Sequence, residues 1–261
     1  AGLMLAHLLH LQGIESVVLE ARSREYVEQR VRAGVLEQHV VDLMAETGLG
    51  DRLLAQGLLH HGVYLRFGGR SHRIDFEELA GSAITVYGQQ EVVKDLIAAR
   101  LAAGQPILFE VEGAALHDLE TDRPSVRFVH EGREQTLEAD FVGGCDGFHG
   151  ISRAAFPAGA LRTFERDYPF GWLGILSETP PVSPELIYSN HARGFALCTM
   201  RSTRRSRYYV QCSLDDRVEQ WSDDAFWAEL RARLPADAAA SVSPPEPVTK
   251  AQPPTEEADG Q

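Results

Sequence analysis

An island of positive charge lies within a chain that is otherwise strongly acidic. Residues 193–207 contain five arginines and no Asp or Glu, whereas the whole chain has 25 basic and 38 acidic residues. Strand periodicity places Thr199 and Arg201 on one face of a strand, and Arg207 and Tyr209 on one face of the next. If the polar stretch between them is a turn, antiparallel pairing brings Arg201 and Arg207 together. Two neighbouring guanidinium groups repel unless an anion lies between them, so the pattern predicts a carboxylate site.

A solvated hairpin tip is the other interpretation of this island. Arg204 and Arg205 fall in the polar stretch 202–206, where exposed charges need no ligand. For Arg201 and Arg207 the residues alone leave both interpretations open.

A second candidate site is the glycine-rich string 143–153, which reads GGCDGFHGISR. Glycines allow a backbone to approach a ligand closely. Asp146 follows an expected strand, where a carboxylate accepts hydrogen bonds from ribityl or ribose hydroxyls. His149 and Arg153 come next and are placed to face a phosphate. A bare Asp-Gly is usually only a turn, but the complete string is far more specific.

The start of the chain has the pattern of the second half of a βαβ unit. Leucines between residues 3 and 11 predict a short buried helix that stops at Gly13. An apolar strand, 16–20, follows and ends in Glu20. In dinucleotide-binding folds such a carboxylate accepts hydrogen bonds from the adenosine ribose. The preceding strand and glycine-rich turn are expected upstream of residue 1, with Gly2 as the last glycine of that turn; a solvated strand end is the alternative for Glu20.

The remaining elements come from periodicity and turn signals. Further helices are predicted over 35–47, 91–103 and 223–234. Strands are predicted over 63–67, 70–76, 107–112, 115–119, 125–130, 135–142, 170–176, 185–190, 194–201 and 207–213. Strands 63–67 and 70–76 should form a hairpin around Gly68-Gly69.

Composition excludes several classes of protein. A net charge of −13 argues against a nucleic acid or an anionic membrane as partner. No apolar run approaches the roughly 20 residues that cross a bilayer. The cysteines, Cys145, Cys198 and Cys212, are widely spaced and odd in number, so a cytoplasmic location is expected. His60-His61 lacks a third ligand at useful spacing, so no metal is expected.

Both ends of the chain are unusual. The sequence opens inside an apolar helix, which indicates a fragment. Residues 243–261 contain five of the 13 prolines and no hydrophobic periodicity, which predicts a disordered tail.

Several long motifs resemble those of class A flavoprotein monooxygenases, above all the aromatic hydroxylases that act on 4-hydroxybenzoate. Besides 143–153, the resemblance rests on RVRAGVLEQ (30–38), TVYGQQEV (85–92), YPFGWLG (168–174) and ELIYSNHARGFALCTMRSTRRSRYYVQ (185–211). It runs from residue 1 to about residue 242. The resemblance implies an α/β protein in which a truncated Rossmann-like FAD-binding domain is joined to a β-rich substrate-binding domain. The implied domains are 1–60 with 88–160 for FAD, 61–87 with 161–242 for the substrate, and the tail 243–261.

The implied activity is hydroxylation of 4-hydroxybenzoate ortho to its phenol, giving 3,4-dihydroxybenzoate with O₂ and NADPH or NADH. On the cofactor side, Glu20 would hold the adenosine ribose, and Arg32 and Gln89 the diphosphate and ribityl chain of FAD. Asp146 would bind the ribityl or diphosphate portion. The nicotinamide coenzyme would meet Arg30, His149 and Arg153.

On the substrate side, the resemblance assigns Thr199, Arg201 and Tyr209 to the carboxylate. Tyr188 would contact the phenolic hydroxyl as the catalytic residue, and Arg207 would lie between substrate and flavin. The family has Ser at the position of Thr199, a change that keeps the hydroxyl.

Other departures leave questions open. Ala21 replaces an arginine that contributes to NADPH selectivity in well-known members, so the choice between NADPH and NADH is open. The second flavin-binding motif of the family is absent. A truncated, non-catalytic remnant that binds an aromatic acid weakly or not at all is therefore the alternative function, and a related flavoprotein without hydroxylation is a further one. Whether the chain forms a homodimer is also open.

Overall fold

The computed structural model describes residues 1–31, 33–242 and 249–251. The chain divides into two compact units. The first unit comprises Ala1–Ala33, Asp42–Ala55 and Gly88–Glu165. The second comprises Gly34–Val41, Gln56–Tyr87 and Arg166–Gln261. Residues 34–41 belong to the second unit, whereas the sequence placed them in the first domain. Arg32 and most of the predicted tail lie outside the described residues.

The helices are mostly short. They are α1 (Gly2–Leu11), α2 (Arg24–Gln29), α3 (Gln38–Glu46), α4 (Gly50–Gln56), α5 (Phe76–Ala80), α6 (Gln89–Ala102), α7 (Ile151–Ala154), α8 (Asp223–Arg233) and α9 (Ala236–Ser241), with a 3-10 turn at Val218–Gln220.

The strands are β1 (Val18–Leu19), β2 (Val35–Glu37), β3 (Leu58–His60), β4 (Gly62–Phe67), β5 (Arg70–Asp75), β6 (Ile84–Val86), β7 (Ile107–Leu108), β8 (Glu112–His117), β9 (Ser125–His130), β10 (Arg133–Glu138), β11 (Gly171–Ser177), β12 (Leu186–Asn190), β13 (Ala196–Ser202), β14 (Arg205–Cys212) and β15 (Thr249–Ala251).

In the first unit, β1 and β7 form a parallel pair and β8, β9 and β10 an antiparallel sheet. Helix α1 ends at Leu11, and Gly13 then takes a positive φ of 72° that favours glycine. The buried Arg100 of α6 donates hydrogen bonds to the carbonyls of Ser16 and Pro106. These bonds tie α6 to the chain entering both strands of the parallel pair.

The second unit is built on a seven-stranded sheet of order β15-β11-β14-β13-β12-β4-β5. All neighbouring strands are antiparallel except β12 and β4, which run parallel. Alternate residues on one face are buried and pack against α8 and α9: Leu173, Ile175, Ile187, Ala196, Cys198, Tyr208 and Val210 from the strands, with Phe226, Trp227, Leu230, Leu234 and Ala238 from the helices. Because side chains alternate along a strand, the residues between them point to the opposite face.

The hairpin around Gly68-Gly69, the helices α1, α6 and α8, and the strands β11 to β14 confirm their predictions within one or two residues at most ends. The predicted helix 35–47 was wrong at its start, because residues 35–37 form β2 and pair with β6. Periodicity could not reveal this partner, which lies far along the chain. Several short elements, among them α4, β3, α5, β6, α7 and α9, were missed, since such short segments carry little periodic signal.

The predicted strand 135–142 is confirmed in its first part, as β10 (Arg133–Glu138), but it does not continue through Phe141 and Val142. Residues 139–147 have no strand, and Phe141 is 90% exposed. A strand needs a neighbour for its backbone N–H and C=O groups, and no described strand pairs with this segment. Within the predicted tail, the structure describes only Thr249–Ala251, which form β15 beside β11 and so differ from the expectation.

Packing against α8 should dominate the stability of the second unit. Leu230 is completely buried in this core, whereas Leu214 is 64% exposed. Leu230→Ala is expected to lower the free energy of unfolding by about 2–5 kcal/mol, because it removes packed methyl groups and leaves a cavity. The matched control Leu214→Ala should change it by less than about 0.5 kcal/mol. Urea unfolding followed by tryptophan fluorescence tests this, since all three tryptophans lie in the second unit; equal losses would contradict the packing described.

Candidate active site

One face of the large sheet carries the residues predicted to bind an aromatic acid. Thr199 lies opposite Arg207, and Leu197 lies opposite both Tyr209 and Tyr188 in the strand register. Residues directly opposite share a face, as do residues two apart on one strand. Tyr188, Thr199, Arg207 and Tyr209 therefore lie on the face turned away from α8 and α9. All four are half-buried.

The hairpin joining β13 and β14 arranges the arginines. The Thr199 hydroxyl donates to the Arg207 carbonyl at 3.3 Å, which joins the two strands beside the site. The Arg207 guanidinium lies 4.6 Å from the centre of the Tyr209 ring. Pairing shifts register between Met200 and Ser202, so Arg201 occupies an irregular point of the ladder. Such irregularities redirect a side chain and often occur near functional sites.

Burial and like charge both act on Arg201. Burial, and to a lesser extent the Arg207 charge, lowers the pKa of this guanidinium to about 10, with Tyr209 acting in the opposite direction. Burial also lowers the pKa of Arg207. Both groups stay protonated at neutral pH, but their charged forms are less stable than in water. A carboxylate bound between them would relieve this cost, because an opposite charge favours the protonated form.

Tyr188 is held by the strand that carries it. β12 lies between β13 and β4, with Leu65 opposite Tyr188 on the β4 side. Just before β12, Glu185 accepts two hydrogen bonds from Arg73 of β5, at 2.8 and 2.7 Å. This bidentate pair anchors the beginning of the strand to the outer hairpin. No local pattern predicts this pair, because the two residues are 112 positions apart.

A buried imidazole was also missed. His60 is 1% exposed, and neither ring nitrogen has a hydrogen-bond partner among the described residues. Burial lowers the pKa of His60, against the nearby Glu185 charge that raises it. The ring is therefore neutral at neutral pH.

The first unit holds the residues predicted for FAD. Glu20 follows β1 at the carboxyl end of the parallel pair and accepts a hydrogen bond from the Arg22 amide at 2.8 Å. Gln89 is the first residue of α6, and its backbone N–H donates to the Ala33 carbonyl at 2.9 Å. Gly2 begins α1, where a Cβ would lie 3.2 Å from the Cβ of Cys145.

Asp146 lies at the start of a short helix. Its carboxylate accepts a hydrogen bond from the Ser152 amide at 2.9 Å. Burial raises the pKa of Asp146, but hydrogen bonds from Ser152 outweigh this effect and leave the pKa below its ordinary value. The carboxylate is therefore ionised and ready to accept further hydrogen bonds.

These features fit a dinucleotide. Ligands of open α/β sheets bind beyond the carboxyl ends of parallel strands, where Glu20 lies. Helix α1 begins without a side-chain cap, which leaves its first amides available to an anion. The close approach of Gly2 to Cys145 brings the start of this helix beside the segment that leads to Asp146.

The three residues predicted for the nicotinamide coenzyme fall in two places. The Arg30 guanidinium lies 5.4 Å from the Tyr26 ring, which Arg22 also approaches at 5.5 Å. His149 contacts the Phe148 ring edge-on, with centroids 4.9 Å apart. Arg153 lies 3.9 Å from the same ring and donates to the Thr163 hydroxyl at 3.3 Å. The structure thus brings His149 and Arg153 to one ring and places Arg30 on another.

Two features are absent among residues 1–31, 33–242 and 249–251: a group of metal ligands and a helix able to cross a membrane. No group of three or more His, Cys, Asp or Glu residues there could hold a metal ion. None of the helices in these ranges combines the length and apolar character needed to cross a membrane.

Comparison with known proteins identifies the class first. Residues 1–256 match the family described as FAD binding domain, and the chain belongs to this family. The p-hydroxybenzoate hydroxylase of Acinetobacter baylyi (strain ATCC 33305 / BD413 / ADP1) is 49% identical over 235 residues, which are 90% of this chain and 58% of that protein. The chain thus spans little more than half the length of this relative. Both matches confirm the resemblance to class A flavoprotein hydroxylases, and FAD as the cofactor of the family.

Solved structures confirm the α/β fold. PqsL of Pseudomonas aeruginosa, described as a probable FAD-dependent monooxygenase, superposes with a TM-score of 0.76 at 20% identity, covering 96% of this chain and 70% of that one. The p-nitrophenol 4-monooxygenase PnpA of Pseudomonas putida DLL-E4 also gives a TM-score of 0.76, at 17% identity, covering 96% of this chain and 63% of that one. At these identities the likeness concerns the fold.

The ion pair between Arg73 and Glu185 should make the stability of the protein depend on pH. Hydrogen bonds from Arg73 hold the pKa of Glu185 below its ordinary value. A depressed carboxyl pKa contributes stability above the unfolded-state pKa, and this contribution is lost as the pH falls through the folded-state pKa. The urea midpoint should therefore fall more between about pH 6 and about pH 3 in the unaltered protein than in Arg73→Met.

The matched control is Arg70→Met, which changes an exposed arginine on the same strand. Its loss of stability in acid should equal that of the unaltered protein. An equal acid response in Arg73→Met would show that the pair does not stabilise the fold.

Proposed function

We propose that this chain is the greater part of an FAD-dependent monooxygenase that hydroxylates 4-hydroxybenzoate ortho to its phenol, yielding 3,4-dihydroxybenzoate with NAD(P)H and O₂. The observation that supports it best is one sheet face that carries Thr199, Arg207, Tyr209 and Tyr188, with the half-buried Arg201 in the same hairpin and close enough for the Arg207 charge to lower its pKa. The first unit is proposed to bind FAD and the second the substrate. The identity with the Acinetobacter enzyme supports the choice of substrate.

The carboxylate end of the substrate is assigned to the β13–β14 hairpin. Arg201 would form the bidentate ion pair, because it is half-buried beside the positive charge of Arg207 and a guanidinium fork matches a carboxylate. Thr199 supplies a hydroxyl on the same face. Tyr209 would add a second hydroxyl, and the neighbouring Arg207 would keep the site positive. A neutral aromatic compound would gain none of these interactions.

The phenolic end is assigned to Tyr188, one strand away from the carboxylate site. Its hydroxyl would accept a hydrogen bond from the substrate phenol and favour ionisation. A phenolate ring is richer in electrons and reacts faster with an electrophilic oxygen. The protein thereby positions the ring and adjusts its proton, as expected where a cofactor supplies the difficult chemistry.

FAD, once reduced by NAD(P)H, supplies the activation of O₂ for transfer to the ring. Glu20, Gln89, Asp146 and the start of α1 at Gly2 are the residues of this chain proposed to hold it, together with Arg32. The nicotinamide coenzyme is assigned to Arg30, His149 and Arg153. Cationic side chains suit its phosphates.

The carboxylate assignment predicts a contrast between two arginines. In the FAD-loaded protein, Arg201→Ala should weaken 4-hydroxybenzoate binding by about 2–5 kcal/mol, because it removes one partner of a desolvated ion pair. Arg204→Ala is the matched control, since Arg204 lies exposed in the turn of the same hairpin. Titration of the flavin absorbance measures both affinities. Equal losses in the two variants would reject Arg201 as the carboxylate ligand.

The role of Tyr188 predicts uncoupling. Tyr188→Phe should retain most of the affinity for 4-hydroxybenzoate, because the ring remains and only the hydroxyl is lost. Hydroxylation should fall much more, with NAD(P)H consumed and hydrogen peroxide released. The measurement is 3,4-dihydroxybenzoate formed per NAD(P)H oxidised, with Tyr64→Phe on β4 as control. An unchanged yield would refute the role, and no product from any form would favour the non-catalytic alternative.

A further inference from the structure

Five aromatic rings form an unbroken series in the second unit. Tyr168 contacts Phe170 with ring centroids 5.7 Å apart, and Phe170 contacts Trp172 at 5.9 Å. Trp172 then contacts Phe195 at 5.4 Å, and Phe195 contacts Tyr188 at 5.9 Å. The series therefore joins the tyrosine assigned to the substrate phenol to a tyrosine elsewhere in the unit.

The large sheet fixes the middle of this series. Trp172 of β11 lies opposite Gln211 of β14. The backbone N–H of Gln211 donates to the Phe195 carbonyl at 2.9 Å. The side-chain oxygen of Gln211 accepts in turn from the Phe195 amide at 3.0 Å. By the alternation along β11 and β14, Trp172 shares the face of Tyr209 and Tyr188. The rings are thus held by the same strands that hold the candidate site.

Exposure differs along the series. Tyr168 is 55% exposed, whereas the other four rings are half-buried. The members that can be oxidised by one electron at moderate potential are Tyr188, Trp172 and Tyr168. Each of these is separated from the next by one phenylalanine, a spacing well within the range of single-step electron tunnelling in proteins. The series begins at the candidate site and ends in a phenol open to water.

We propose that Tyr188, Trp172 and Tyr168 form an oxidative relay that carries an oxidising equivalent from the candidate site to the protein surface. The rings of Phe170 and Phe195 lie between these three residues and contact them. The relay would protect the residues of the candidate site from oxidation when activated oxygen is not transferred to a substrate. It depends on the proposed function only for the source of the oxidant: hydrogen peroxide from uncoupled turnover, which a ferrous ion in solution reduces by one electron to hydroxide and a hydroxyl radical.

The steps balance as follows for one equivalent. The hydroxyl radical takes an electron and the phenolic proton from Tyr188 and leaves as water. Trp172 gives an electron to the Tyr188 radical, which takes a proton from water and returns to the phenol; this step is uphill, because the tryptophan radical is the stronger oxidant, and the favourable oxidation of Tyr168 that follows draws it forward. Tyr168 reduces the Trp172 radical cation and releases its own phenolic proton to solvent. A thiol reductant in solution then returns a hydrogen atom to Tyr168.

Pulse radiolysis of the full chain tests the relay without substrate, FAD or turnover. Azide radical oxidises tryptophan in preference to tyrosine, and a Trp221→Phe background leaves Trp172 as the accessible target because Trp227 is 1% exposed. The tryptophan radical signal should decay as the tyrosine radical signal grows, with a first-order rate that is independent of protein concentration. A rate proportional to concentration would show transfer between molecules and overturn the proposal.

Variants in the same background assign the path. Tyr168→Phe combined with Tyr188→Phe should remove most of the intramolecular conversion, since both tyrosines of the series that can reduce the Trp172 radical are lost. Tyr26→Phe is the matched control, because Tyr26 is 42% exposed and lies in the first unit. In Tyr188→Phe, where Tyr168 alone accepts, Phe170→Leu should slow the conversion by at least an order of magnitude. Conversion that persists in the double variant, or that falls equally in the control, overturns the relay.

A second readout examines the direction of transfer. Under steady exposure to peroxide and ferrous iron, oxidation mapped by mass spectrometry should accumulate at Tyr168. In Trp172→Phe, a conservative aromatic change, it should shift to Tyr188 and its neighbours at least severalfold. An unchanged distribution would overturn the protective relay even if hydroxylation of 4-hydroxybenzoate were established, and a shift would support the relay even if it were not.

Discussion

Two guanidinium groups held side by side and partly out of water set the central constraint of the second unit. Burial makes Arg201 and Arg207 costly, and their mutual repulsion adds to that cost. The fold tolerates them because the free energy comes from the other face of the same sheet, where strand residues pack on α8 and α9. A strongly packed face thus supports an electrostatically unfavourable one. The proposed binding of a carboxylate builds on this division, because an opposite charge beside the two guanidinium groups would favour their protonated forms.

Local alternation was enough to predict the two strands of this hairpin and their pairing. The spacing of Thr199 with Arg201 and of Arg207 with Tyr209 assigned faces to residues of two strands, and their antiparallel pairing is confirmed. The turn proved shorter than predicted, with β13 ending at Ser202 and β14 beginning at Arg205. A long motif added Tyr188, which no periodic argument would single out. Its role and those of the other site residues remain predictions.

What the sequence could not provide were contacts between distant strands. The parallel pairing of β12 with β4 and the fork between Arg73 and Glu185 join segments more than a hundred residues apart. Neither leaves a local pattern. The aromatic series has the same origin, because Trp172, Phe195 and Tyr188 come from or adjoin different strands and meet only in the sheet. The strand expected at Phe141 failed for the related reason that extended structure requires a partner.

The order of segments along the chain has a consequence for how this protein is made. Strands β4 and β5 leave the ribosome early, but their neighbour β12 follows only after the whole of residues 88–165, which belong to the first unit. The backbone groups on the β12 side of β4 therefore stay unpaired while residues 88–165 of the first unit are synthesised. Pairings of such high contact order form slowly, and waiting strand edges favour aggregation. The pairing of β12 with β4 is accordingly formed late on the nascent chain, and until then the β4 edge is the part of this sheet most exposed to mispairing.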